Sequence, residues 1–531
     1  MRPTDQVLDA PEKMAPTASR GTALIAAGSA QFAGQALGIL IALLVSYLIA
    51  RRMGVGTDAD AFLLGRRLVT SLTEALSQVV GVVFIPLVAA RAAAGVSLWR
   101  ILAHSGGAAL AIGAALAIAI ALTASNIVGS LAPQFDPNTK ALASQVVVIL
   151  ALSLPATVAA MAFTAFCNVR GRFGSPTVIR QLPRAAVAIA LLFGGGVLAL
   201  QAAAAYTITF FAVATLTLVL ALRLGTEQPV RTPTKPANPA IGRRGMAAII
   251  LTFGALASIW LETAVAARQG PGAVAMLDFS QRLGALCGNT LAMALALVAF
   301  ADLTRRAAAG ETSDLGQRFR NATLIGIALL VPAQLGFFVN AGPIIDLIIA
   351  HDKISDDTIL KMTQLMRWMA LAPLGAFVTR MMLVRVLAQD DLPIVRLVGV
   401  GMALDFGSRF ILFTVLTPTL GLAGIPIALV ISPAVPVIFL ALVLRRRGVF
   451  SGGASALRPA MPMIAAATLG SIGVLAGAAA GPWIFSLLGT ATGGGIGKLD
   501  SLIQLMSSGG IGIIALGTGI KLFGVKLRPS K

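Results

Sequence analysis

Acidic side chains are scarce in this chain: 21 Asp and Glu stand against 41 Lys and Arg, and charged residues of both signs fill only 12% of 531 positions. So little polar surface cannot cover a water-soluble globule of this length. Histidine and cysteine are nearly missing, with His104, His351, Cys167 and Cys287 the only examples, all far apart. They offer neither metal-ligand spacing nor a disulfide framework. The chain also lacks HExxH, a Walker A lysine loop, GxSxG and CxxC, the short patterns that would hold zinc, a nucleotide phosphate, a nucleophilic serine or a redox pair. No segment between apolar runs is long enough to fold alone as a catalytic unit. Transport is therefore favoured over catalysis, and no cofactor is expected.

What the chain does contain is apolar length. Hydrophobic residues make up 57% of it and the mean hydropathy is +0.89. Stretches of roughly 20 apolar residues, enough to cross a ~30 Å hydrocarbon core as helix, recur about fourteen times. They are continuously apolar and do not alternate with the two-residue period of a membrane barrel, so the fold class is all-α and polytopic. The expected spans are 22–50, 60–90, 100–129, 142–165, 176–199, 201–223, 243–268, 276–300, 322–348, 362–387, 393–417, 421–444, 459–487 and 502–524. The first apolar run exceeds a signal-peptide core and reads as a retained helix.

Basic residues mark every second gap: Arg91 with Arg100, Arg170 with Arg172, Arg231 to Arg244, Arg305 to Arg320, Arg385 with Arg396, and Arg445 to Arg447. The intervening gaps are neutral or acidic, as at 346–357. Under the positive-inside rule the basic gaps are cytoplasmic, and an even number of spans returns Lys521, Lys526, Arg528 and Lys531 to the same side, so both termini face the cytoplasm. Arg51 and Arg52 are the exception, placed outward. The net charge of +20 does not indicate nucleic acid, because it is spread over short loops without a dense basic tract and interleaved aromatics. Topology and anionic membrane lipids account for it.

Ionisable groups within spans are costly and face a cavity or a partner. The candidates are Arg66, Arg67 and Glu74 in the second span, Arg180 and Arg184 in the fifth, Glu262 and Arg268 in the seventh, Asp278 and Arg282 in the eighth, Arg367 and Arg380 in the tenth, and Asp405 with Arg409 in the eleventh. Arg180, Arg184, Arg268 and Arg380 lie near span ends and are expected to snorkel to the headgroups. Asp405 and Arg409 share a helix face at i,i+4, as do Asp278 and Arg282, which suits a structural ion pair as well as a substrate site. Glu74, deeper in its span, suits proton coupling or a hydrogen-bonded packing role. A cavity lined by arginine suits an anionic cargo, since guanidinium stays charged and grips phosphate in a bidentate fork.

Four stretches carry a family resemblance. The run Arg51-Arg52-Met53-Gly54-Val55-Gly56 followed by Asp60-Ala61-Phe62 resembles the first helix hairpin of the MurJ/MviN lipid II flippases, in the multidrug/oligosaccharidyl-lipid/polysaccharide exporter superfamily. Residues 168–176, with Arg172-Phe173 and Pro176, resemble the family's loop before its fifth helix. Gly272-Ala273-Val274-Ala275 followed by Gln281-Arg282-Leu283 resembles the start of its eighth, and Ala388-Gln389-Asp390 with Pro393 resembles its Asp-Thr-x-Thr-Pro turn.

The resemblance implies a V of two six-helix lobes, 22–223 and 243–444, flanked by a cytoplasmic segment 1–21, a proline-rich cytoplasmic linker 224–242, and a C-terminal part 445–531 holding two further helices and a cytoplasmic tail. It also implies a polyprenyl-diphosphate-linked glycan as cargo, entering from the inner leaflet of a bacterial cytoplasmic membrane. Cell-envelope biosynthesis enzymes would be its neighbours. Transport would follow alternating access, driven by membrane potential or a gradient of Na+ or H+. Arg282 carries over from the family's cavity, with Arg66, Arg67 and Arg52 as further expected substrate-binding groups. Glu74, Asp278, Asp405 and Arg409 are the expected coupling or cavity groups. The expected cargo is lipid II or a related envelope or exopolysaccharide precursor; the family's other cavity arginines fall at Val45 and at Thr73 and Glu74 here, a changed cavity that a divergent paralogue carrying another such glycan would explain. A cation-coupled exporter of small amphiphiles from the same superfamily is the alternative.

Overall fold

The computed structural model describes residues 18–93, 97–169, 172, 174–225, 239–308, 315–351, 354–387, 392–447, 461–492 and 497–522. Most of the expected N-terminal segment, the heart of the 224–242 linker, the Ala388-Gln389-Asp390 motif, Arg170 and the C-terminal tail lie outside these residues. Every regular element among the described residues is helical.

In chain order the helices are α1 (Ala18–Met53), α2 (Thr57–Ala93), α3 (Leu98–Leu131), α4 (Pro137–Ala151), α5 (Leu154–Val169), α6 (Gly174–Ile179), α7 (Leu182–Phe193) and α8 (Leu198–Gly225). There follow α9 (Pro239–Ala267), α10 (Ala273–Ala308), α11 (Leu315–Val339), α12 (Ala341–Ile348), α13 (Asp356–Leu387), α14 (Ile394–Leu420), α15 (Gly424–Ile431), α16 (Ala434–Arg446), α17 (Met461–Thr492) and α18 (Gly497–Leu522).

Eleven stretches of described residues are long and apolar enough to cross a membrane. One of them, Ile394–Arg446, covers 53 residues, about 80 Å of helix at 1.5 Å per residue, far more than one crossing needs. It reverses at Gly421, whose φ of +57° is open to glycine at little cost, and α14 then packs against α15 and α16. Counting that stretch twice and adding the charged helices α2 and α10, of 37 and 36 residues, brings the crossings to fourteen.

Several crossings that read as single runs are broken in two. The breaks precede Pro155 in α5, Pro183 in α7, Pro343 in α12 and Pro436 in α16. Proline fits the first turn of a helix but denies a hydrogen bond to the turn before it, so each run restarts there. The fifth expected span also stops earlier than its apolar run, at Phe193, because Gly194-Gly195-Gly196 interrupts it. Asp136 starts α4 by accepting from the Thr139 amide at 3.0 Å. The Thr139 hydroxyl and amide hold this carboxyl below its usual range.

Helices α1 to α8 pack among themselves, and α9 to α16 do likewise. Between the groups run contacts of α2 with α9 and α10, of α3 with α9 and of α1 with α10. Helices α17 and α18 pair with each other and lean on α11 and α12. Their close approach follows from Gly473, Gly477 and Gly481, spaced by four on one face of α17. A Cβ on Gly477 would meet the Ser507 carbonyl oxygen at 2.5 Å, so only small residues allow this packing. Outward-facing Leu122, Phe193, Ile208 and Ile513 are heavily exposed, a surface that suits hydrocarbon and not water.

Candidate functional site

Helix α2 carries two adjacent arginines, and successive helical positions point about 100° apart. Arg66 and Arg67 therefore serve different surroundings. Arg66 shares its face with Thr70, Thr73 and Ser77, one, two and three turns on, and all of them line a cavity of about 810 Å³. Arg67 turns instead towards α9, as does Ser71, whose hydroxyl accepts from Trp260 Nε1 at 3.0 Å.

Two ionic groups result. In the first, Asp278 Oδ2 accepts from Arg66 Nη2 at 2.8 Å and from Arg282 Nε at 2.6 Å. One buried carboxylate thus holds two guanidinium groups at the cavity wall, where both arginines are lining residues. In the second, Glu262 accepts from Arg67 Nη2 at 3.1 Å and Arg409 Nη1 at 3.2 Å, while Arg409 Nε lies 3.0 Å from Asp405 Oδ2. Gln281 approaches the same Glu262 at 3.4 Å. Buried charges persist only when paired in this way. Both groups tie α2 to helices beyond residue 239.

The cavity receives two more arginines. Arg180 and Arg184, expected to snorkel, line it instead. The cause is the break between α6 and α7, which leaves Arg180 at the end of a short helix and Arg184 one turn into the next, where Gln181 Oε1 accepts from its Nη1 at 3.0 Å. Nothing at the level of sequence distance to a span end separates these two from Arg268, which is exposed beside the α9–α10 turn. Glu74 is also a lining residue, open to the cavity and without an ion pair among the described residues. Val45 and Thr73 line it as well.

Arg52 does not reach this cavity. It is exposed, and its Nη2 donates to the Gly194 carbonyl at 2.7 Å, tying the end of α1 to the turn between α7 and α8. Its neighbour Arg51 donates to the Tyr47 hydroxyl at 2.8 Å. Arg52, expected among the substrate-binding groups, is instead pointed at that turn by the end of α1. Arg67, Asp405 and Arg409 likewise lie outside the cavity lining, in the second ionic group.

Where α1 ends and α2 begins, a further contact closes the two helix groups. Asp60 accepts from the amides of Gly272 at 2.6 Å and Ala275 at 2.7 Å. These amides begin α10, so a carboxylate on α2 caps a helix from the other group. Gly272 has a φ of +81°, and a Cβ there would come within 3.1 Å of Val55.

A family profile described as lipid II flippase MurJ matches residues 49–488. The chain belongs to the lipid II flippase MurJ family. No functionally curated protein matches its sequence. Among solved structures, a lipid II flippase MurJ in an inward closed conformation superposes with a TM-score of 0.70 at 13% identity, covering 93% of this chain and 98% of that one. An inward-facing multidrug resistance transporter of the MATE family reaches 0.63 at 17% identity over 77% and 94% of the two chains. A MATE transporter from Vibrio cholerae reaches 0.55 at 16% identity over 81% and 97%. At such identities the superpositions establish the shared fold of a multi-pass membrane protein, and the MurJ-family match places this chain among the flippases.

Proposed function

We propose that this protein moves a polyprenyl-diphosphate-linked glycan, lipid II or a related envelope or exopolysaccharide precursor, from the inner to the outer leaflet of the bacterial cytoplasmic membrane. The observation that carries this reading is the charge of the cavity. Arg66, Arg180, Arg184 and Arg282 stand against Glu74 and Asp278, which leaves two positive charges for an anionic cargo. Arginine forks suit the oxygens of a diphosphate. The cavity would take the headgroup while the polyprenyl tail stays in lipid.

Both termini are cytoplasmic in this reading, because the basic gaps then face inward. The Asp60 contact with the α10 amides is on the outward side and the cavity lies below it, towards the cytoplasm. Opening requires that contact to break while an inward closure forms, the rocking expected of alternating access. Asp278, Glu262 and Asp405 are already paired with arginine, so among these inner carboxylates Glu74 is the one open to a proton or ion. A second driving force needs no coupled ion: carrying a dianion outward down an inside-negative potential releases about 2.3 kcal/mol per charge per 100 mV.

The MATE superpositions favour a second reading, a cation-coupled exporter of small amphiphiles. That chemistry calls for free acidic groups facing the cargo, whereas this cavity has an excess of arginine. The deciding experiment is depletion of the protein with measurement of lipid-linked glycans by leaflet. Accumulation of a precursor on the cytoplasmic leaflet supports flipping. An unchanged distribution with normal glycan output, together with altered drug susceptibility, supports the exporter.

A further inference from the structure

The cavity wall changes character along α2. At one end stands Arg66, and over the next twelve residues, about 18 Å of helix axis, come Thr70, Thr73, Glu74, Ser77 and Gln78. Facing them from α5 are Thr157, Thr164 and Asn168. The hydroxyl protons of several of these groups are already committed. Thr70 donates to the Arg66 carbonyl, Thr73 to the Val69 carbonyl and Thr157 to the Ser153 carbonyl, at 2.7, 2.9 and 2.8 Å. What such a hydroxyl still offers to a ligand is its oxygen lone pairs. Glu74 adds a carboxylate, an acceptor only when ionised, open to the cavity and without an ion pair among the described residues. Thr164 Oγ1 is buried with no hydrogen-bond partner. Beyond its arginines, the amides of Gln78 and Asn168 and the unpaired Thr164 hydroxyl, which can donate as well as accept, the cavity is therefore a wall rich in acceptors.

Resting on the reading of a diphosphate-linked cargo given above, we infer that Glu74 and the threonine oxygens select the sugar next to the diphosphate. They favour one rich in donors, bearing hydroxyl, amide or free amine groups, and reject one bearing a carboxylate. The diphosphate would lie against Arg66 and Arg282, and the adjoining sugar against Thr73 and Glu74, two turns along the same helix. A hydroxyl or N–H of the sugar completes the lone pairs that the threonines present, and an ammonium neutralises Glu74. A uronic acid in that place sets one carboxylate against another and gives up its 6-hydroxyl donor, the repulsive element on which discrimination rests.

The test uses the purified full-length chain and four soluble probes: bare farnesyl diphosphate, and farnesyl diphosphate joined to glucosamine, N-acetylglucosamine or glucuronic acid. Binding of the glucosamine and N-acetylglucosamine probes at least tenfold tighter than the glucuronic acid probe is expected. Glu74→Gln should shrink that gap to within about threefold, Glu74→Asp should keep it, and Glu74→Lys should invert it. Equal affinity for all three sugars, or a gap that survives Glu74→Gln and Glu74→Lys in protein that still binds bare farnesyl diphosphate, overturns the inference and leaves the diphosphate reading standing. Failure of every probe, the bare diphosphate included, overturns both.

Discussion

Asp60 and Gly272, 212 residues apart, are joined by a 2.6 Å hydrogen bond from the Gly272 amide to the Asp60 carboxylate. A side chain of α2 thereby satisfies an amide that the first turn of α10 cannot. Replacing it leaves that amide and the Ala275 amide without their charged acceptor, at roughly 1.5–3 kcal/mol per bond. Asp60→Ala is expected to open this side of the protein. With Cys167 and Cys287 replaced, a Val55→Cys probe should react with an impermeant maleimide about tenfold faster or more when Asp60 is Ala. Unchanged labelling would show that the contact does not hold the two groups together.

Gly272 makes the same point through backbone geometry. Its φ of +81° strains any side chain, and a Cβ 3.1 Å from Val55 would force that residue to shift. Gly272→Ala should cost about 1–2 kcal/mol in the closed arrangement and raise Val55→Cys labelling too. Pairing it with Val55→Ala removes the contact with the Val55 side chain but not that with its carbonyl oxygen at 3.3 Å, nor the backbone strain, so partial recovery is expected.

Glu262 is the shared acceptor for Arg67 and Arg409. Glu262→Gln leaves a buried guanidinium without its counter-ion, a change that costs about 3–5 kcal/mol where nothing else compensates. Arg409 retains Asp405, so the loss falls mainly on Arg67. Thermal unfolding in detergent should show a clear drop for Glu262→Gln, and Arg67→Gln added to it should recover part of that drop. Simple addition of the two losses would mean that the pair is not coupled.

Arg282→Ala is expected to abolish complementation of a depleted strain while the protein still inserts in the membrane. Arg282→Lys keeps the charge but not the fork and should retain only partial activity. Full activity of the alanine variant would remove Arg282 from the cargo site.

Net outward flipping in proteoliposomes should respond to voltage, since two negative charges moved per cycle correspond to about 4.6 kcal/mol per 100 mV. An inside-negative potential should speed outward transport and an inside-positive one should slow it. Rates independent of voltage but responsive to a proton or Na+ gradient would transfer the driving role to an ion, with Glu74→Gln as the variant to examine.

The crossings were legible because the bilayer imposes a minimum length on apolar runs, and α3, α8 and α9 end within four residues of the expected 100–129, 201–223 and 243–268. The i,i+4 pairs Asp278–Arg282 and Asp405–Arg409 were legible too, since a helix brings such positions onto one face. The breaks before Pro155, Pro183, Pro343 and Pro436 carried a signal in the prolines themselves. Arg180 and Arg184 carried none: arginine near a span end can reach headgroups or a cavity, and only the neighbouring helix decides which.

By itself, then, the sequence determined that this is a helical membrane protein, how often it crosses, and which side chains must be neutralised. Local rules suffice for those, because hydrocarbon solvates apolar length and demands that each helix satisfy its own backbone. Tertiary structure alone decided that Glu262 serves Arg67 and Arg409 across 195 and 147 residues. It alone turned Arg66 into a cavity and its neighbour Arg67 away, and it gave Asp60 the start of α10 as a partner. Those outcomes depend on which helices meet, and charge pairing over such separations is set by packing geometry that no local pattern encodes.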